Sequence, residues 1–285
     1  MDSNLALANK FIQDAEVLVF TSGAGMGVDS GIGTFRGKNA GLWPPLKDLN
    51  LTNQKMAVPL WFEDNKNPYL AFGFWQARYN EFVNNLPHKG YYLLQELIKN
   101  KNNNNQDKPF FVYTSNIDGH WLASGIPDTN IVEIHGNIRY QQCRDNCTKE
   151  IWPCELNCNI DPVSQMALDP LPKCKNCNKS VVRPNVCMFE DYGCNFKRID
   201  EQRANWRNWP FRKHQKITVI EIGAGTAITT IRNLSNSIVN QHPSNRLVRI
   251  NLEEAMLDGL TNVEQGVSIQ LTALEALADL VALKN

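Results

Sequence analysis

Outside the stretch from Cys143 to Cys194 this 285-residue chain has no cysteine. That excludes a disulfide framework spread over the molecule and leaves eight clustered thiols to be explained. Neither sign of charge is in excess, with 29 Lys+Arg against 29 Asp+Glu. A balanced chain argues against a general polyanion binder, so no direct nucleic-acid partner is expected. No apolar run reaches membrane-spanning length, and no internal repeat is visible. The chain does not open with a basic region followed by an apolar core, so an intracellular, cytoplasmic protein is expected, with the nucleus open as a second compartment.

What is present is ordinary globular composition, 42% hydrophobic and 20% charged, long enough for one large domain carrying a smaller insertion. Short β-rich apolar runs alternate with helical patterns. Residues 3–14 read as a helix and 16–20 as a buried strand. Helices follow at 68–84, after Pro68, and at 89–99. The polar "KNKNNNNQDK" (99–108) reads as a solvated loop. Strands are expected at 110–114, at 130–136, within 217–226 running into a Gly-rich turn, and over 246–254 ending in polar residues, with helices at 228–239 and 271–281. Strands alternating with helices predict an α/β fold with a parallel sheet covered on both faces, its ligand at the strands' carboxyl ends.

The first strand runs into "TSGAGMGVDSGIGTFRG" (21–37), with six glycines. Such a loop either lets backbone N–H groups approach a phosphate or is a flexible connection. The strict dinucleotide fingerprint is absent, because Val28 stands where a third glycine would.

Further clusters stand at expected strand ends: "TSNIDGH" (114–120), "IVEIHGN" (131–137), "EIGAGT" (221–226) and "RINLE" (249–253), with "VRPNVCMFED" (182–191) between them. In this order and spacing they resemble the sirtuin (Sir2) family of NAD-dependent protein deacylases, from about Leu18 to the C-terminus. The resemblance implies a Rossmann-like doubly wound sheet with a smaller inserted helical and zinc-binding domain. Residues 1–40, 86–142 and 183–285 would form the NAD-binding part. The helical insertion 41–85 and the zinc module 143–182 would form the small domain.

By the same resemblance Gly23, Ala24 and Gly25 turn over the pyrophosphate, Phe35 shields the nicotinamide ribose, and Arg36 sits near the phosphates. Ser115 lies by the ribose, Asn116 and Asp118 recognise the nicotinamide carboxamide, and Gly223, Gly225, Asn251 and Leu252 hold the adenosine half. An amide beside a carboxylate suits a group that both donates and accepts; an Asx cap for the next helix is the plainer reading of the same pair. His135 would be the general base, taking a proton from a ribose hydroxyl, with Asn116 the second catalytic residue. His120 is its nearest rival; His88, His214 and His242 lie in polar contexts. The implied reaction removes an acetyl or related group from protein lysine and releases nicotinamide and O-acyl-ADP-ribose. Its partner would be an acylated protein or peptide, its backbone added as a strand near Val186–Phe189.

Cys174 and Cys177 form a CxxC knuckle. Spacing alone favours Cys154 and Cys158 as the partner pair, whereas the family's order, with a knuckle soon after the His-Gly strand, favours Cys143 and Cys147. The expected zinc ligands are therefore Cys143, Cys147, Cys174 and Cys177, a closed structural site. Cys187 and Cys194 stand apart, and Cys187 reads as a small apolar residue in a strand.

The sequence departs from the family at Gly33-Thr34, where Pro-Asp is usual, at Ser115, where a glutamine is usual, and in the Gly223-Ala224-Gly225-Thr226 turn. These changes keep ADP-ribosyl transfer or NAD hydrolysis on the same fold as the alternative, with a non-enzymatic NAD-binding module behind it. Trp75 and Arg78 occupy the spacing at which sirtuins acting on acidic acyl groups carry Tyr and Arg, so Arg78 is a candidate partner for a carboxylate.

Overall fold

A computed structural model describes residues 3–35, 43–99, 108–154, 156–209 and 216–284. The chain runs through α1 (Ser3–Asp14), β1 (Val17–Ser22), α2 (Pro45–Asp48), α3 (Asn53–Met56), α4 (Pro68–Asn84), α5 (Lys89–Ile98), β2 (Phe110–Thr114), α6 (His120–Ala123) and β3 (Ile131–Glu133). It continues through β4 (Gly136–Cys143), β5 (Trp152–Pro153), β6 (Val182–Val186), α7 (Lys197–Asn208), β7 (Ile217–Ile222), α8 (Thr230–Asn240), β8 (Arg246–Ile250), β9 (Gly266–Ile269) and α9 (Ala273–Lys284). No helix among the described residues is long and apolar enough to cross a membrane.

Six strands form one parallel sheet in the order β3-β2-β1-β7-β8-β9. The order reverses between β1 and β7, the switch point at which such sheets open a crevice. Alternation along β1 explains why both faces are covered. Leu18 and Phe20 face a core shared with α1, α5 and α9, while Val17 and Val19 face one shared with α7 and α8.

A third core joins α4 to the cysteine-bearing segment, from Trp43, Phe72, Phe74 and Trp75 to Ile138, Cys143, Cys174 and Val182. Asn67 caps α4, accepting from the Leu70 N–H, and Pro68 occupies the first turn. The described residues of 43–85 and 143–182 thus pack together, and β4, β5 and β6 form an antiparallel sheet there in the order β5-β4-β6.

The structure departs from the sequence expectation, or decides between its alternatives, at several points. The single strand expected over 130–136 is two strands in different sheets, with Ile134 and His135 in the turn between them. α7 and β9 were not anticipated: α7 is polar along most of its length, and β9 is a short Gly-Val-Ser-Ile run. Lys108, expected in a solvated loop, is buried and donates to the carbonyls of Ile12, Gln13 and Ala15, closing the end of α1; residues 100–107 of that loop lie outside the described residues. The glycine-rich loop is not a flexible connection. Ala24–Ser30 is a 3-10 helix held at both sides, Met26 O by His88 Nε2 and Asp29 Oδ2 by the Leu274 N–H at the start of α9.

Where the loops after β1 and β7 meet, backbone lies on backbone. The Gly25 N–H donates to Gly223 O, and a Cβ on Gly25 would stand 2.6 Å from Gly223 Cα. Gly223 itself has φ +62. Gly25→Ala and Gly223→Ala should each cost about 3 kcal/mol, the result of a backbone clash joined, at Gly223, to a left-handed φ. Gly193→Ala, whose Cβ meets nothing closer than 3.7 Å, should stay within about 0.5 kcal/mol of the parent. Urea unfolding of the three variants checks this, and equal midpoints would refute it.

Candidate active site

The carboxyl edge of the large sheet is closed by one series of backbone hydrogen bonds. Ile134 donates to Thr114, Ser115 to Ser22, Gly23 to Ile222, Gly223 to Ile250 and Asn251 to Ile269. Each bond joins the first residues beyond one strand to the last of its neighbour. The candidates Gly23, Ser115, His135, Gly223 and Asn251 therefore emerge along a single edge.

Asn116 follows β2 and is 9% exposed. Its backbone N–H is held by Thr114 Oγ1 at 3.0 Å, yet its side-chain Nδ2 is buried and finds no partner among the described residues. An orphaned buried amide costs about 1–3 kcal/mol, so something must recompense it. Two residues on, Asp118 Oδ1 accepts the His120 N–H at 2.8 Å. The Asx cap and a binding role are thus compatible, because Oδ2 lies on the Gly27 side, 3.6 Å from where a Cβ would stand. Burial pushes the Asp118 carboxyl above the usual range, opposed by His120 and Arg139. Arg139, which the sequence reading passed over, pins this turn by donating to Asp118 O and Phe82 O, both at 3.1 Å.

His135 sits in the turn between β3 and β4, half-buried. Its ring is hydrogen-bonded to the Ser115 carbonyl. Burial pushes the imidazole below the ordinary histidine value, and the Ser115 carbonyl opposes that only in part. The ring is therefore neutral at pH 7, with one nitrogen free to accept a proton. Gly136 makes the turn possible: it has φ +80, and a Cβ there would run into the Asn185 carbonyl. His120, the nearest rival, and His88, expected in a polar context, are both buried. His120 Nε2 meets Phe82 O, while His88 Nε2 meets Met26 O and its Nδ1 accepts the Gly90 N–H.

Phe35 packs on Phe189 with ring centroids 6.0 Å apart. Arg36 lies outside the described residues. Arg78 is not free for a carboxylate ligand: it is 6% exposed, its Nη1 donates to Glu81 Oε2 at 2.8 Å, and its guanidinium covers the Phe35 ring at 5.4 Å. Glu81 Oε1 in turn accepts the Gly33 N–H. Trp75 is 2% exposed in the core. The pair anchors the Phe35 loop, and in this structure the carboxylate on Arg78 is that of Glu81.

At the other end of the edge, Asn251 Nδ2 donates to Ala224 O and its Oδ1 accepts the Glu253 and Glu254 N–H groups. Leu252 is exposed. Glu254 closes on the β7 turn, accepting from Thr226 N–H and Oγ1 beside Gly225.

The sulfurs of Cys143, Cys147, Cys174 and Cys177 all lie within 4.8 Å of one another. A tetrahedron with zinc–sulfur bonds near 2.3 Å has sulfur–sulfur edges of about 3.8 Å, and Cys147 and Cys174 stand at 3.6 Å. The donor set fits a closed zinc site. Asn176 Nδ2 donates to Cys147 Sγ, and backbone N–H groups of Lys179 and Ser180 hold the Cys177 thiol down to about 6. Cys154 and Cys158 are not in this cluster.

The segment expected to receive a substrate strand has its donors engaged. Cys187 N–H goes to His135 O, Met188 N–H to Asp191 Oδ2 and Phe189 N–H to Ala57 O. An added strand there must displace one of these bonds or use carbonyls.

The sequence model of the Sir2 family matches residues 23–218. An NAD-dependent protein deacylase of Leptospira interrogans is 34% identical over 179 residues, 61% of this chain and 62% of that protein, so the match spans under two thirds of the relative. A probable bifunctional ADP-ribose hydrolase/ADP-ribosyltransferase of Fusarium oxysporum f. sp. cubense is 26% identical over 92% of this chain and 46% of that protein. The fold is similar to a Sir2 homologue solved as an NAD complex, with TM-score 0.70 at 22% identity, covering 97% of this chain and 92% of the other.

Two measurements test the site's chemistry. An NMR titration of the His135 ring should give a midpoint below 6.5, the unperturbed histidine value; a midpoint at or above it contradicts the burial argument. Native mass spectrometry should find a single zinc ion on the parent and on Cys154→Ser, and none on Cys147→Ser or Cys177→Ser. Zinc lost from Cys154→Ser would overturn the assignment.

Proposed function

The chain belongs to the Sir2 family, and from that premise we propose that it is an NAD-dependent deacylase of protein lysine. The observation that carries the reading is the buried Nδ2 of Asn116, unpartnered among the described residues, on the same edge as Asp118 and a His135 whose imidazole burial pushes below its ordinary value. A carboxamide or ribose hydroxyl is the kind of acceptor that amide lacks.

NAD, when bound, supplies the glycosidic carbon that takes the acyl oxygen and the nicotinamide that leaves. Asn116 donates its amide hydrogen to the bound group, and the Asp118 carboxyl holds the carboxamide end. His135 accepts the ribose hydroxyl proton on the ring nitrogen not turned to Ser115. Phe35, braced by Phe189 and Arg78, keeps water from the reacting carbon. Gly23, Ala24 and Gly25 line the pyrophosphate path, and the family resemblance assigns Arg36, outside the described residues, to the phosphates. Ser115 lies by the ribose, and Gly223, Gly225, Asn251 and Leu252 take the adenosine half. Cys143, Cys147, Cys174 and Cys177 hold zinc in a structural role. The expected partner is an acylated protein or peptide.

ADP-ribosyl transfer is the second reading. It is favoured by the Fusarium relative, which aligns with 92% of this chain, and by Gly33, Thr34 and Ser115 in place of the family's usual residues.

Incubation with NAD, with and without acetyl-lysine peptide, separates the readings. Nicotinamide released only with peptide supports deacylation. Labelled protein accumulating without peptide supports transfer, and release with neither product contradicts both. His135→Ala should lower kcat by about 10²–10⁴-fold or more and leave NAD affinity within a few-fold. Full turnover in that variant would contradict the assignment of the base.

A further inference from the structure

Cys187 and Cys194 are not isolated. Their sulfurs lie 2.7 Å apart, well inside the about 3.5–4.0 Å at which non-bonded heavy atoms rest. Neither sulfur belongs to the metal cluster. The connecting turn holds them there: Asp191, buried against Arg183, accepts the Met188 N–H at 3.1 Å and the Gly193 N–H at 3.0 Å. Cys187 is half-buried and Cys194 is 7% exposed. The two thiols are also unequal. The hydrogen bond from Cys194 is the main cause holding Cys187 below the ordinary thiol value, with Arg183 and Arg203 adding to it and burial and Asp191 opposing. That bond and burial push Cys194 up.

We propose that Cys187 and Cys194 form a peroxide-reactive dithiol, a modification site separate from the zinc cluster, that closes to an intramolecular disulfide. The more accessible, more acidic thiol attacks and the buried one resolves. Cys187 gives its proton to solvent, and its sulfur attacks one oxygen of a hydroperoxide. The O–O bond breaks, the leaving oxygen takes a proton to become water or an alcohol, and Cys187 becomes a sulfenic acid. Cys194 sulfur then attacks Cys187 sulfur, the S–O bond breaks, and the hydroxide leaves as water with the Cys194 proton. Two electrons pass from the sulfurs to the peroxide. The bond from Cys187 N–H to His135 O, 2.9 Å, places this chemistry beside the turn that carries His135.

The test treats the zinc-loaded full chain with hydrogen peroxide, then alkylates, denatures and digests it. Trypsin spares the Arg183-Pro184 bond, so both cysteines fall in one peptide, residues 180–197, which has no other thiol. That peptide should lose both alkylation sites, become lighter by two hydrogen atoms, and recover both sites after dithiothreitol. In Cys194→Ser, Cys187 should instead be captured as a sulfenic acid by dimedone; Cys194→Ala serves if the serine variant fails to fold. Both thiols still alkylated after peroxide, or Cys187 oxidised to sulfinic acid with Cys194 free, would overturn the proposal. The readout is mass, so it stands apart from the proposed enzyme activity.

Discussion

The contact on which the site depends is between two bare backbones. At the switch point of the parallel sheet, the loop after β1 crosses the loop after β7 with Gly23 and Gly25 against Gly223 and Ala224. A side chain at any of these glycines would wedge the carboxyl ends of β1 and β7 apart. Without one, the series of hydrogen bonds from Ile134 to Ile269 runs unbroken across the edge. Residues from five separate stretches then open on one side of the sheet. The glycines thus shape the crevice first, and only secondarily offer N–H groups to a phosphate.

The second constraint is the ladder between β4 and β6. At one end Cys143 pairs with Val182 beside the thiol cluster; at the other Gly136 pairs with Val186, and Cys187 bonds to the His135 carbonyl. A metal held by Cys143, Cys147, Cys174 and Cys177 would therefore stiffen the same two strands that set the imidazole. Buried ion pairs hold the remaining corners: Arg198 to Glu133 at 2.6 Å below the His135 turn, and Arg249 to Glu221 at 2.6 Å below the Asn251 turn. Such pairs are poor sources of net stability but costly to break singly, so they fix geometry. At His135 itself burial outweighs its hydrogen bond, and the ring stays neutral.

Much of this was legible in the sequence. The apolar runs at β1, β2, β7 and β8, the Pro68 start of α4 and the order of the loop motifs each follow from local physics. The rest depended on distance through space. The break at His135 was hidden because Ile134 and Ile138 continue a strand-like pattern through a turn that only the φ of Gly136 reveals. α7 was hidden because it covers the sheet with few residues, chiefly Ile199 and Trp206, amid charge. Spacing to Cys174 pointed to Cys154/Cys158, whereas the thiols that cluster are Cys143/Cys147, because the choice is made by the β4–β6 register. Arg78 looked available because its partner, Glu81, had no visible reason to turn toward Gly33. Cys187 and Cys194 looked solitary because the turn joining them is organised by a buried Asp191.

The central claim is that the crevice over the crossed glycine loops accepts a dinucleotide with its reacting end at Asn116 and His135. A crystal structure of the protein grown with a non-cleavable NAD analogue tests it most directly. The account predicts the pyrophosphate over Gly23–Gly25 and the Asn116 amide hydrogen-bonded to the nicotinamide riboside. An empty crevice at saturating analogue, with Asn116 Nδ2 satisfied by protein atoms instead, would contradict it.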